Sequence, residues 1–385
     1  MPLVPLFGQW YDTERSFILS AWRGSSWPAL FCFMQEDTMK YIDFHCDTIT
    51  ELHDHPEKGT LMENSLYIDL QKLKKGGCFI QDFALWVDRK ETPDLWKRYE
   101  DLLAVFRREL EAYHTCLCPI RCREDIREAE EEGKIGALLS VEGGEVVEGS
   151  VEKLEELYKD GVRLMTLTWN YPNEIGFPNG MEGKDRGITK KGWEIIKAME
   201  SMHMIVDTSH LNDEGTREIL MTCKVPPVAS HSDARAVTAH KRNLPDDLIR
   251  LFGDKGGLIG LNFANHFTGT REVTTLENLV RHARHIRDLG GIDVLALGSD
   301  FDGIGGKLEM DDCSKLPLLA DALRREGFTE DGNLVTRDLL YDKATNKQFI
   351  TVQTSGGSTF YIVIDYDKPV DEEGEQYETY FFSVV

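Results

Sequence analysis

Cysteine is scarce in this chain, with eight in 385 residues, too few for a disulfide-stapled scaffold. Cys116, Cys118 and Cys122 lie close together. No second Cys/His pair of zinc-finger spacing accompanies them, so they read as reduced thiols. Long apolar runs are also missing: nothing reaches the roughly 18 residues that a transmembrane helix needs. The N-terminus lacks a basic region followed by an apolar core, because Arg23, Gly24, Ser25 and Ser26 interrupt Phe17–Phe33. A secretory signal is therefore not expected, no membrane association is expected, and the default location is cytoplasmic. Positive charge is in deficit: 44 Lys and Arg against 67 Asp and Glu, a net charge of −23. Such a chain repels phosphate backbones, which argues against nucleic acid as a partner. With 41% hydrophobic and 29% charged residues, the composition is that of a soluble globular protein.

Residues 1–38 carry no clear period, and a second methionine, Met39, directly precedes the first strong strand. Either Met39 is the natural start or residues 1–38 form a loosely packed extension. Over residues 39–328 strands and helices alternate. Strands are expected at Tyr41–Cys46, Cys78–Val87, Ile135–Val141, Arg163–Thr168, Met204–Ser209, Val228–Ser230, Leu258–Phe263 and Val294–Ser299. Most are near-continuous apolar runs, as in sheets covered on both faces. Helical spacing marks Pro93–Tyr113, Val151–Lys159, Lys190–Met202, Asp213–Met221, Leu276–Leu289 and Leu316–Glu326, with Gly161, Gly290 and Gly327 placed as C-terminal caps. The alternation predicts an α/β fold, a (β/α)8 TIM-type barrel, with a doubly wound open sheet as the alternative. Residues 329–385 change character: Lys347–Gln353, Thr359–Asp365 and Tyr377–Val384 alternate like strands, and Ser355–Ser358 supplies a turn. A small antiparallel β appendage is expected there. It contains no His or Cys.

Polar residues end several of the apolar runs. His45 and Asp47 follow the first, Glu142 the third, His210 and His231 the fifth and sixth, and Asp300 the eighth. In a parallel barrel those ends converge on one face. His45 and Asp47 are two apart and so point to one side, while Cys46 between them points to the other. Three histidines and two carboxylates on one face suit zinc or a similar divalent ion, and they suffice for two ions sharing a bridging carboxylate. Each residue alone is weak testimony, since a histidine after a strand is commonly structural and an acidic residue there commonly caps a helix. The joint pattern points to a metal site. Asp300 is placed for proton transfer, and Asp302 reads as a loop cap. Arg242 could clamp a substrate carboxylate or be a surface arginine; spacing does not decide between them. His53, His55, His282 and His285 read as surface residues.

Ile42–Thr48, Ser140–Gly143, Asp207–His210, Ala229–Ser232 continuing to Asp247, and Gly298–Gly303 together resemble the motifs of the membrane (renal) dipeptidase family. The resemblance spans residues 40–328. It implies that His45 and Asp47 bind one zinc and His210 and His231 a second, with Glu142 bridging. It also implies that Asp300 is the general acid/base and that Arg242 contacts a substrate carboxylate. The implied reaction is zinc-dependent dipeptide hydrolysis by metal-activated hydroxide, often with a D-residue at the C-terminal position. Partners are then a dipeptide substrate, with a homodimer left open. Rival readings are a deaminase- or lactonase-type barrel hydrolase, or a catalytically impaired barrel that serves as a binding module. The deaminase and lactonase types usually carry His-x-His on strand one, where this chain has His-x-Asp.

Two departures stand out. Trp169, followed by Asn170, occupies the place of a family histidine after strand four, so both are read as substrate contacts of altered chemistry. After Asp331 the chain leaves the family pattern, and from Gly332 onward it resembles a β-rich domain of bacterial mobile-element proteins. That implies a gene fusion or an assembly artefact.

Overall fold

The computed structural model describes residues 32–33, 39–180 and 186–328. In the C-terminal segment it describes 334–342, 345–354, 359–369 and 377–383. Eight strands form a parallel sheet: β1 (Met39–Asp43), β2 (Cys78–Trp86), β3 (Ile135–Glu142), β4 (Leu164–Thr166), β5 (Ile205–Asp207), β6 (Val228–Ala229), β7 (Leu258–Leu261) and β8 (Leu295–Leu297). β8 pairs with β1, and β1 with β2, which closes the sheet into a (β/α)8 barrel. The open-sheet alternative is thereby excluded. Between β2 and β3 lie a short strand that the sequence does not announce, Leu117–Ile120, which pairs in parallel with the first half of β3, and a helix, Arg123–Glu131. The earlier portion of the extension, residues 1–31, lies outside the described residues; Cys32 and Phe33 pair antiparallel with Lys40 and Met39.

Six helices sit where the period of 3.6 placed them, among them α1 (Leu95–Ala112), α2 (Lys190–Ser201), α3 (Asp213–Thr222) and α4 (Leu276–Gly290). Their starts are chemically marked. Asp94, Thr189, Asn212 and Thr275 each accept a hydrogen bond from a backbone N–H three residues on. Such caps contribute about 1 kcal/mol each. At the end of α4 the structure corrects the expectation: Gly290 is the last helical residue and Gly291, at φ 87°, is the cap. Among the described residues five further helices carry no clear sequence period, at Thr48–Asp54, Leu70–Gly76, Arg123–Glu131, Asp246–Lys255 and Asn265–Thr268. No helix among the described residues is long and apolar enough to cross a membrane.

Strand alternation sorts the barrel interior into layers. Ile42, Ile80, Leu138, Leu164, Ile205, Val228, Leu258 and Ala296, one from each strand, belong to a single buried apolar cluster. Two residues further along, outside β1, come Asp82, Ser140, Thr166, Asp207, Ser230, Gly260 and Gly298. This second layer is polar and bonded within itself: Ser140 donates to Asp82 at 2.6 Å, and Thr166 and Ser230 both donate to Asp207 at 2.6 Å. It also needs its two glycines. A Cβ at Gly260 or Gly298 would lie 1.8 or 1.7 Å from the Ser230 carbonyl oxygen. The next step up the strands reaches Glu142, Asn262 and Asp300.

Contacts divide the chain into two compact units, residues 1–320 and 321–385. In the second, β9 (Leu334–Asp342), β10 (Lys347–Thr354), β11 (Thr359–Pro369) and β12 (Tyr377–Ser383) form a four-stranded antiparallel sheet in sequence order. β9 was not anticipated, and the turn at Ser355–Ser358 lies outside the described residues.

Candidate active site

All the observed strands but β3, which runs on to Glu142, stop earlier than the apolar runs, and the chain turns sharply where several functional residues begin. His210 (φ 67°), Asp300 (φ 61°) and Asp302 (φ 69°) adopt left-handed backbone conformations, which cost a non-glycine residue about 1–2 kcal/mol each. Three such residues at one end of a barrel mark that end as functional. Their neighbours hold them in place: Asp300 N–H donates to His45 O at 3.2 Å, and Asn179 N–H to His210 O at 2.7 Å.

The sequence-predicted residues converge. Glu142 lies at the centre, and its two oxygens face different partners. Oε1 is 3.0 Å from His210 Nε2 and 3.5 Å from His231 Nε2. Oε2 is 3.6 Å from His45 Nε2, which is itself 3.4 Å from Asp47 Oδ2 and 3.9 Å from Asp300 Oδ1. The His45 and His231 rings pack with centroids 4.0 Å apart. Among the described residues, two groups have ligand atoms close enough to share a cation: His45, Glu142 and His231, and His45, Asp47 and Asp300. Cys116, Cys118 and Cys122 form no such group, and all three are free thiols.

The donor set fits a metal. His45 is 1% exposed and His231 is fully buried. Yet both ring nitrogens of His45, and Nε2 of His231, lack a hydrogen-bond partner among the described residues. Buried polar atoms left unpaired cost about 1–3 kcal/mol each, a penalty that a coordinated cation removes. Charge points the same way. Burial works against a proton on His45, but Glu142 and Asp47 outweigh it and hold its pKa well above the usual imidazole range. The surplus of negative charge that favours a proton there favours a cation equally. Burial, followed by Arg242, pushes His210 down to about 4, and burial, followed by His45, holds His231 well below its ordinary value. Both rings are then neutral, as ligands must be.

Neighbouring groups orient these rings. Ser230 Oγ donates to Asp207 at 2.6 Å, so it accepts from His231 Nδ1 at 2.7 Å and leaves Nε2 as the free lone pair. Asn170 Oδ1 sits 3.1 Å from His210 Nδ1 and does the same for that ring. Asn170 was expected as a substrate contact. It does line the cleft, but its side chain also touches a ring of the Glu142 cluster.

The cleft above is a cavity of about 420 Å³ lined by Asp47, Trp86, Trp169, Arg242, Phe267 and Asp300, among others. Trp169 packs edge-on against Trp86 (5.0 Å) and Tyr171 (5.8 Å) and forms part of the wall. Arg242 is 5% exposed, so its reading as a surface arginine fails. Its Nη2 donates to His231 O at 3.3 Å, its Nε is unpartnered, and among the described residues it pairs with no carboxylate. Asp302 accepts from Thr48 Oγ1 at 2.6 Å and from Tyr67 N–H at 2.7 Å, which ties the start of the helix Thr48–Asp54 and the loop at Tyr67 to the segment after β8. Burial pushes Asp300 up to about 7, Asp47 and Glu142 adding to the rise and His45 opposing it.

The family model for membrane dipeptidases (peptidase family M19) matches residues 34–340. The chain belongs to the membrane dipeptidase family. It is thus a metallo-dipeptidase by family, a hydrolase of peptide bonds. A dipeptidase, verJ, from Clonostachys rogersoniana is 31% identical over 277 residues, covering 69% of this chain and 71% of that one. A Klebsiella pneumoniae protein from the pqqA 5′ region is 33% identical over 250 residues, covering 61% of this chain and 89% of the relative. Among solved structures, the dipeptidase AC, a family M19 metallopeptidase, superposes with a TM-score of 0.70 at 25% identity, covering 76% of this chain and 93% of that one. A Rhodobacter sphaeroides metallopeptidase bound to a phosphinate mimic of L-Ala-D-Ala shares the fold, with a TM-score of 0.71 at 24% identity, covering 76% of this chain and 94% of that one. Residues 327–385 match a second model, the mobile element protein CD1107-like family.

Three residues need correction or addition. His282, expected at the surface, is fully buried. Its Nδ1 accepts from Ala234 N–H at 3.1 Å and its Nε2 lies 3.2 Å from Thr238 Oγ1. It thereby braces the loop that leads from His231 to Arg242. His285 is half-buried and paired with Asp246 at 2.9 Å. Asn262 was overlooked. It stands four residues beyond Leu258 of the apolar layer, as Asp300 stands beyond Ala296 and Glu142 beyond Leu138. That repeated i, i+4 step was the available signal.

Proposed function

We propose that the protein hydrolyses dipeptides with two zinc ions, one held by His45 and Asp47, the other by His210 and His231, with Glu142 shared between them. The observation that carries this reading is the division of labour within Glu142. One of its oxygens faces the His210–His231 pair and the other faces His45. When bound, such a pair of ions supplies Lewis acidity for the scissile carbonyl and makes a water acidic near neutral pH.

The chain's own residues do the rest. Arg242 receives the α-carboxylate of the dipeptide, as a desolvated guanidinium with no acidic partner among the described residues is suited to do. Trp169 and Phe267 exclude water from the walls. Asp300 accepts a proton from the attacking water and returns it to the leaving amine as the C–N bond breaks, releasing two amino acids. The family resemblance supports acceptance of a D-residue at the C-terminal position, which makes L-Ala-D-Ala the first dipeptide to try.

The test joins zinc stoichiometry to turnover on a dipeptide panel that includes L-Ala-L-Ala and L-Ala-D-Ala. His210→Ala is expected to lose one zinc and to lower kcat/KM by at least ~100-fold. Zinc-replete protein that cleaves no dipeptide, or a His210→Ala protein that keeps both zinc and activity, would overturn the reading.

A further inference from the structure

Asn262 lies just past the end of β7, is fully buried, and is committed on every side. Its Oδ1 accepts from Ala264 N–H at 2.7 Å. That bond fixes which end of the amide is which, so Nδ2 must face the other way. There Nδ2 donates to Asp300 Oδ2 at 2.9 Å, and it lies 3.5 Å from His231 O. Its backbone N–H is held by Asp233 Oδ1 at 3.2 Å. The amide cannot rotate without breaking at least two of these contacts.

We propose that Asn262 is the positioning residue for Asp300: it occupies Oδ2 and so makes Oδ1 the oxygen that takes and returns the proton. An oxygen already accepting an N–H along its outward direction is poorly placed to receive a proton there. Oδ1 is the oxygen that faces His45, at 3.9 Å from Nε2, and that groups with Asp47. The backbone of Asp300 is held by the His45 carbonyl, and among the described residues Asn262 Nδ2 is the side-chain donor to its carboxylate. Asn262 also connects two halves of the site. The His231 carbonyl that it approaches is the one to which Arg242 donates at 3.3 Å. The carboxylate clamp and the proton-transfer group are thus registered on one peptide oxygen.

This inference rests on Asp300 acting as the general acid/base, and the experiment separates the two claims. Asn262→Leu keeps the volume and removes every side-chain hydrogen bond. Its kcat is expected to fall by roughly 10–100-fold, with KM changed less than about 3-fold and zinc content unaltered. Asn262→Asp keeps an acceptor for Ala264 N–H but withdraws the donor from Asp300. A residue that merely held the loop would tolerate that change, whereas the proposal requires kcat to fall here too. If Asn262→Leu fails to fold, Asn262→Asp carries the test. Introduced into Asp300→Ala, either substitution should cause no further loss, because its target is gone. Asn262 variants with kcat within 2-fold of the parent, beside an inactive Asp300→Ala, would overturn the role of Asn262 alone, as would losses that multiply in the double variant. Turnover retained by Asp300→Ala would overturn both claims.

Discussion

His282 shows how a residue remote from the chemistry can govern it. Burial, followed by Arg281, depresses its pKa from 6.5 to about 4. The unfolded chain therefore binds a proton at this position before the folded chain does. The contribution of the neutral ring to stability is intact above about pH 6.5 and is lost as pH falls toward 4. At full protonation the loss is roughly 3 kcal/mol, one pKa unit being worth about 1.4 kcal/mol. Protonation also removes the acceptor for Ala234 N–H, and with it the brace on the Arg242 loop. His282→Gln is expected to lower stability at pH 7 yet flatten its fall between pH 7 and pH 4, which thermal unfolding across that range will show. A variant whose pH dependence parallels that of the parent would refute the assignment.

At the scale of the element, the order of strands and the ends of most helices were legible in the sequence. Apolar runs of strand length alternated with amphipathic stretches, and capping side chains marked where helices begin. What stayed hidden had physical causes. The helix Thr48–Asp54 follows directly from a polar strand end and is too short to show a period, as is Leu70–Gly76. Leu117–Ile120 is only four residues long and pairs with the first half of β3 alone. His282 looked exposed because a charged helix conceals its inward face; only the contacts of the loop after β6 reveal the burial. The metal-type cluster is visible because ligand residues recur after strands, whereas the supporting layer is hidden because Asp82 and Asp207 lie inside the apolar runs. Acidic residues are depleted in strands, so their presence inside such runs was the unused signal. Close approach between elements gives its own prediction. Gly298→Ala would drive a Cβ into the Ser230 carbonyl, displacing β6 and β8 together. Overpacking of this kind costs about 1–3 kcal/mol. Both a lower Tm and a loss of turnover are expected, since His231 and Asp300 leave those two strands; an unchanged Tm would show that the barrel yields more readily than its packing indicates.

At the scale of the whole molecule, every residue assigned a chemical role lies between His45 and Asp302. The two family matches overlap at residues 327–340, and the structure places that overlap with the second unit: β9 pairs with β10 through eight partners from Leu334 to Asp342. We propose that residues 39–328 form the catalytic domain and that 329–385 are a separable segment. A chain ending at Phe328 is expected to retain zinc content and to keep kcat/KM within about 3-fold of the full chain, because the truncation removes no side chain of the site. A collapse of activity with intact zinc binding would instead give the β-rich unit a part in the reaction.

The left-handed residues at the barrel mouth carry an implication for directed evolution. Glycine or asparagine at 210 or 300 would relieve backbone strain there, so a selection for heat tolerance alone should enrich those replacements and silence the enzyme as it does so. Positions that drift under such a selection, and are restored when turnover is demanded, would map the catalytic mouth without any substrate having been identified.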